Sequence, residues 1–175
     1  MKSMMLQRIC SSFASGLSTA RKLLNKLPAG DEEEETFFAE VSAAMAGGDA
    51  SVELLGIEAE RHHLQAIIDW LERKPTDPKL DAVLHFLNER KWLDLGCIIF
   101  SQYFDTAYWV AECLTKELPG ERVALYAGAD KSGLFFSGEW RSVEREDIKR
   151  AVRDRTIRLV VATDAACEGL NLQTL

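Results

Sequence analysis

From Lys91 onward, short apolar runs of strand length alternate with stretches of helical period, and this alternation constrains the fold more than any other feature. Gly96-Cys97-Ile98-Ile99-Phe100 has the length and content of a strand buried on both faces. Phe104, Ala107, Tyr108, Ala111, Leu114 and Leu118 then recur at helical spacing and stop at Pro119-Gly120. Arg122 to Tyr126 reads as a second strand running into Ala127-Gly128, and a Gly- and Ser-containing loop spans from there to Trp140. Val143, Ile148, Ala151 and Val152 mark another amphipathic helix, and Ile157 to Ala162 a third strand. Strand, helix, strand, helix, strand with short connections predicts an α/β fold with a parallel sheet, flanking helices and right-handed crossovers.

Three segments precede this one. Residues 1–27 form a connector helix in which Ile9, Phe13, Leu17, Ala20 and Leu24 share a face until Pro28-Ala29-Gly30 stops it. Residues 28–51 read as an acidic flexible linker, because the like charges of Asp31-Glu32-Glu33-Glu34-Glu35 repel one another and stay solvated. Residues 52–90 are expected to be a helical pair leading into the lobe of residues 91–175. Leu64, Ile67, Ile68 and Leu71 make the first apolar stripe. Asp77-Pro78 supplies an N-cap with proline at the first helical position, and Leu80, Val83, Leu84 and Leu87 make the second stripe.

Composition narrows the functional classes. Of 175 residues, 47% are hydrophobic and 28% charged, which suffices for a real core in an ordinary globular chain. The net charge of −7 excludes a polycation, so any nucleic-acid footprint is local. Cys10, Cys97, Cys113 and Cys167 stand far apart without a C-x-x-C pair and read as free thiols. His62, His63 and His85 lack a completing cluster at ligand spacing and read as surface or packing residues rather than metal ligands. No segment approaches the about 20 apolar residues that span a bilayer, and Gln7 and Arg8 interrupt the amino-terminal apolar run early. No membrane partner is expected, and an intracellular, cytoplasmic location is.

Chemistry concentrates where the three strands end, the edge at which open α/β sheets place their ligand crevices. The first strand ends in Ser101-Gln102, whose hydroxyl and amide either bind a phosphate or cap the next helix. The second ends at Gly128, which permits close backbone approach or a positive φ, or simply makes a tight turn. The third ends in Thr163-Asp164, followed by Ala165-Ala166-Cys167-Glu168-Gly169-Leu170-Asn171-Leu172-Gln173. Arg141, Arg145, Lys149, Arg150, Arg153, Arg155 and Arg158 form the one markedly basic stretch. Glu144, Glu146, Asp147 and Asp154 lie at spacings that neutralise much of it, so both a solvated face and a phosphate patch stay open.

The string from Thr163 to Gln173 resembles motif V of superfamily 2 helicases and translocases, the Swi/Snf-like branch above all. Ile98-Ile99-Phe100-Ser101-Gln102-Tyr103 resembles motif IV at the proper distance upstream. The resemblance covers roughly residues 75–175. It implies a partial RecA-like sheet, the second motor lobe of an ATP-dependent enzyme working on nucleic acid, with duplex DNA favoured. It further implies that Ser101, Gln102, Gly128, Thr163 and Asp164 face the nucleic acid. Glu168, Gly169 and Asn171 would face the nucleotide interface.

Departures from the family pattern shape the expected activity. The sequence contains no G-x-x-x-x-G-K-[ST] phosphate loop, so ATP and Mg are expected on a first RecA-like motor lobe supplied in cis or in trans. It also reaches Leu175 before the arginine-bearing motif VI of the family, and an arginine finger is worth about 10³ or more in rate. No hydrolysis by this chain alone is expected, and no catalytic residue is assigned to it. The alternative reading is a stand-alone, non-catalytic module that docks on a motor or on nucleic acid. A small-molecule enzyme finds no support, because no Gly-rich cofactor turn and no nucleophile–base pair is present. With three strands, the strand before Thr163 is expected to carry an unpaired edge prone to self-association.

Overall fold

The computed structural model describes residues 2–25, 50–74, 76–128 and 130–164, and the chain divides into two compact units at Pro75/Thr76. The first unit is helical. Helices α1 (Lys2–Ser11) and α2 (Phe13–Asn25) replace the single connector helix that the periodicity suggests, and α3 spans Ala50–Glu72. The break is at Ser12, whose Oγ accepts the Ser15 N–H at 3.0 Å and so caps a new helix. Met5, Ala20, Leu64 and Ile68 form the buried centre of this unit, with Ile9, Leu17, Leu24 and Ile67 packed around them. The first stripe of the expected helical pair therefore belongs with the amino-terminal helices. Most of the acidic segment lies outside the described residues.

The second unit begins with α4 (Pro78–Asn88), where Asp77 accepts the Lys79 N–H at 2.9 Å and proline occupies the first turn. Short helix α5 (Trp92–Leu95) follows, then β1 (Cys97–Ser101), α6 (Phe104–Glu117), β2 (Val123–Tyr126), β3 (Gly133–Phe136), β4 (Glu139–Ser142), α7 (Arg145–Arg153) and β5 (Leu159–Thr163). The strands make a mixed five-stranded sheet in the order β1-β5-β2-β3-β4, flanked by helices as in a partial RecA-like fold. β1, β5 and β2 are parallel, whereas β3 and β4 are antiparallel additions.

Alternation along the strands assigns the helices to opposite faces. Val123, Leu125, Leu159 and Val161 pack with Ala107, Val110, Ala111 and Leu114 of α6 and with Leu87 of α4. Ala124, Tyr126, Val160 and Ala162 pack with Ile148 and Val152 of α7. Each fully buried aliphatic side chain in these layers contributes roughly 1.5–3 kcal/mol. The connection after β1 thus leaves toward one face and the helix after β2 lies on the other, with β5 between them.

Three expectations change here. The strand before Thr163 has no free edge: β5 pairs with β1 on one side and β2 on the other, and all five of its residues are buried. The outer strands among the described residues are β1 and β4. Accordingly β1 is not buried on both faces, since Phe100 is 52% exposed. Finally, the expected loop before Trp140 is a β-hairpin. Ser137 and Gly138 both have positive φ, 50° and 80°, the requirement of the mirror-image turn that matches strand twist.

Candidate functional site

The carboxyl ends of β1, β5 and β2 lie side by side. Ser101 stands directly across from Thr163, and Tyr126 across from Ala162, so Ser101-Gln102, Thr163-Asp164 and Ala127-Gly128 come to one edge. β5 ends between strands whose outgoing connections part to opposite faces, the arrangement that opens a crevice in α/β sheets. Five sequence-predicted site residues, Ser101, Gln102, Gly128, Thr163 and Asp164, are thereby brought together. Glu168, Gly169 and Asn171 lie outside the described residues.

Their chemical states differ. Ser101 Oγ donates to the Tyr103 carbonyl at 3.1 Å and accepts the Tyr103 N–H at 3.3 Å, so this hydroxyl shapes the strand-to-helix turn. Gln102 and Asp164 are exposed, while Thr163 is 5% exposed. Gly128 is half-buried, and it does not adopt the positive φ that sequence reasoning allowed. Among the described residues, a Cβ built on it meets Arg145 Nη2 at an ordinary 3.6 Å. Neither its backbone angle nor the described residues around it demand glycine there.

Ser132 is the residue that sequence reasoning missed. It is 3% exposed, and its Oγ accepts the Ala127 N–H at 3.0 Å and donates to the Ala127 carbonyl at 2.9 Å. The Ser132 carbonyl in turn accepts the Val143 N–H at 3.2 Å across the base of the hairpin. Arg145 Nε donates to the same Ala127 carbonyl at 2.8 Å, and its guanidinium carbon lies 5.5 Å from the Tyr126 ring centroid. The available signal was the turn chemistry of Asp130-Lys131-Ser132-Gly133, which marks a bend but not the partner of its hydroxyl. Beside this knot a surface cavity of about 340 Å³ is lined by Asp130, Ser132, Ser142, Glu144, Arg145 and Glu146.

The basic stretch is largely spoken for. Lys149 pairs with Glu146 at 2.8 Å, Arg150 with Asp147 at 3.2 Å, and Arg158 with Glu121 and Asp94 at the opposite edge. The hydrogen bond from Lys149 holds the Glu146 carboxyl below its usual range and lifts the Lys149 ammonium. Arg141, Arg153 and Arg155 remain exposed. Burial pushes the Cys97 and Cys113 thiols up, away from nucleophilic use. Among the described residues no group of His, Cys, Asp and Glu is placed to hold a metal ion, and no helix is long and apolar enough to cross a membrane. No family model, curated protein or solved structure matches this chain.

Proposed function

We propose that the chain is part of the second motor lobe of an ATP-dependent nucleic-acid helicase or translocase of the Swi/Snf-like kind, with duplex DNA as its track. The observation that carries this reading is the register of β1 against β5, which sets Ser101-Gln102 beside Thr163-Asp164 at a crevice-forming edge, with Gly128 next in line. Those are the positions at which the sequence resembles motifs IV and V. Groups at such an edge fit backbone contact, because hydroxyl, amide and main-chain donors bind phosphate oxygens without reading bases. The exposed Asp164 carboxylate cannot do so and instead sets a limit on how near a phosphate comes on its side.

The chain contributes position rather than chemistry. It has no phosphate loop to cradle ATP, and the described residues include no metal-holding group, so Mg·ATP belongs on a partner lobe. ATP bound there supplies the free energy that closes the two lobes. This lobe's residues grip and release the backbone as that closure changes their distance from it. Partial neutralisation along α7 keeps the net field of the lobe weak, which fits a track that must be released at every step.

The test is hydrolysis by the full chain mixed with a first motor lobe bearing a phosphate loop and with a segment bearing the arginine finger. DNA-stimulated turnover that needs every component supports the reading. Well-folded components that neither bind duplex DNA nor hydrolyse ATP in combination overturn it and favour a non-catalytic docking module. Turnover by the chain alone would contradict the assignment of the nucleotide to a partner lobe.

A further inference from the structure

The hairpin that follows β2 ends the sheet with β4, which among the described residues pairs with β3 alone. One bond at the base of the hairpin fixes the phase of this strand. The Val143 N–H donates to the Ser132 carbonyl, toward β3, and main-chain groups alternate in direction along an antiparallel strand. Arg141 and Glu139 therefore direct their N–H and C=O groups to β3, while Trp140 and Ser142 turn theirs outward. Side chains alternate between the faces as well. Trp140 lies against Phe135 and Tyr108 on the face covered by α6, and Glu139 and Arg141 stand together on the other face, both exposed.

An outer strand invites pairing with another strand, and charged side chains along it are the usual guard. Here the guard leaves one register open. A second β4 laid antiparallel must match outward-turned residues with outward-turned residues, so each allowed register is centred on a single residue. Centred on Glu139 or on Arg141, the pairing sets like charges face to face, which destabilises a sheet. Centred on Ser142, it overlaps only the last residue of each strand. Centred on Trp140, it sets Glu139 of each copy against Arg141 of the other, at the non-hydrogen-bonded positions where cross-strand side chains come closest. We propose that β4 is a dimerisation edge, through which two copies of this chain join antiparallel in the register centred on Trp140 to make one continuous sheet. The two Trp140 residues exchange their N–H and C=O groups at the twofold axis, and the ion pair between Glu139 and Arg141 occurs twice, as a self-complementary interface requires. This edge needs no nucleic acid and is independent of the functional reading given above.

Sedimentation velocity of the full chain from micromolar to millimolar concentration tests the pairing, with Glu139→Arg and Arg141→Glu as variants. The wild type passes from monomer to dimer as concentration rises. Each variant alone associates at least about tenfold more weakly, because two attractive cross-strand pairs become two repulsive ones. Mixed in equal amounts, the two variants associate as strongly as the wild type, since every arginine of the first then faces a glutamate of the second. Recovery on mixing also shows that neither variant failed to fold. A wild type that stays monomeric throughout the range overturns the proposal. So do variants that self-associate like the wild type, and so does a mixture that associates no better than its components.

Discussion

Gly133→Ala adds one methyl group at the first residue of β3, five positions after Gly128, and the two sites respond very differently. At Gly133 the methyl carbon would overlap ring carbons Cζ2 and Cη2 of Trp140 and would stand 2.5 Å from the Arg141 carbonyl oxygen. The ring cannot yield cheaply. It packs between Phe135, with centroids 4.7 Å apart, and Tyr108, at 5.5 Å, over the face covered by α6. Displacing it forfeits two aromatic contacts worth about 0.5–1.5 kcal/mol each. Relieving the carbonyl clash parts β3 from β4 and costs a ladder hydrogen bond, about 1 kcal/mol net. Alanine returns roughly 0.5–1 kcal/mol because it loses less backbone freedom on folding than glycine. The net loss is about 2–3 kcal/mol. Urea unfolding followed by far-ultraviolet circular dichroism measures it, with tryptophan emission reporting the ring and with each transition fitted separately, since the chain has two units. Gly128→Ala in the same assay stays within about 0.5 kcal/mol of wild type, as a surface change without a clash should. A Gly133→Ala protein as stable as Gly128→Ala would refute the reasoning, for it would mean that Trp140 does not lie across β3.

Other consequences follow from the same packing. Among the described residues, Ser15 Oγ and Thr19 Oγ1 are buried without a hydrogen-bond partner, so Ser15→Ala and Thr19→Val each stabilise the helical unit by about 1 kcal/mol in thermal melts; destabilisation would show that the hydroxyls are satisfied in solution. Leu114→Ala, at a fully buried position between α6 and the sheet, costs about 2–5 kcal/mol by urea unfolding. Alkylation mapped by peptide mass spectrometry modifies exposed Cys10 before Cys97 and Cys113. Because burial raises the Cys97 and Cys113 thiols, less of each is thiolate at a given pH, and their rates climb only at higher pH. Equal rates across pH 7–9 would argue against that burial.

Much of the architecture is legible without coordinates because it is local. The run Leu159–Thr163 is apolar at every position but the last, and a strand buried on both faces is the state that satisfies it. The stripe from Ala107 to Leu118 makes an amphipathic helix for the same reason, and Asp77-Pro78 marks a helix start through a single side-chain-to-backbone bond. The residues ending β1, β2 and β5 are likewise visible as polar or small residues that terminate apolar runs, so the candidate edge could be named from the chain alone.

What the linear pattern does not contain is which strands become neighbours. Placing β5 between β1 and β2 depends on crossovers to opposite faces, and this alone moves the supposed free edge from the strand before Thr163 to β1 and β4. Gly133-Leu134-Phe135-Phe136 is too short and too interrupted to declare itself a strand, and only pairing with β2 and β4 makes it one. Nor does any periodicity connect Ser132 to Ala127 or Arg145 to that same carbonyl. Local propensity acts over a turn or two of chain, whereas the clamp on Ala127 exists because a hairpin and a helix, each folded for its own reasons, bring a hydroxyl and a guanidinium to one peptide.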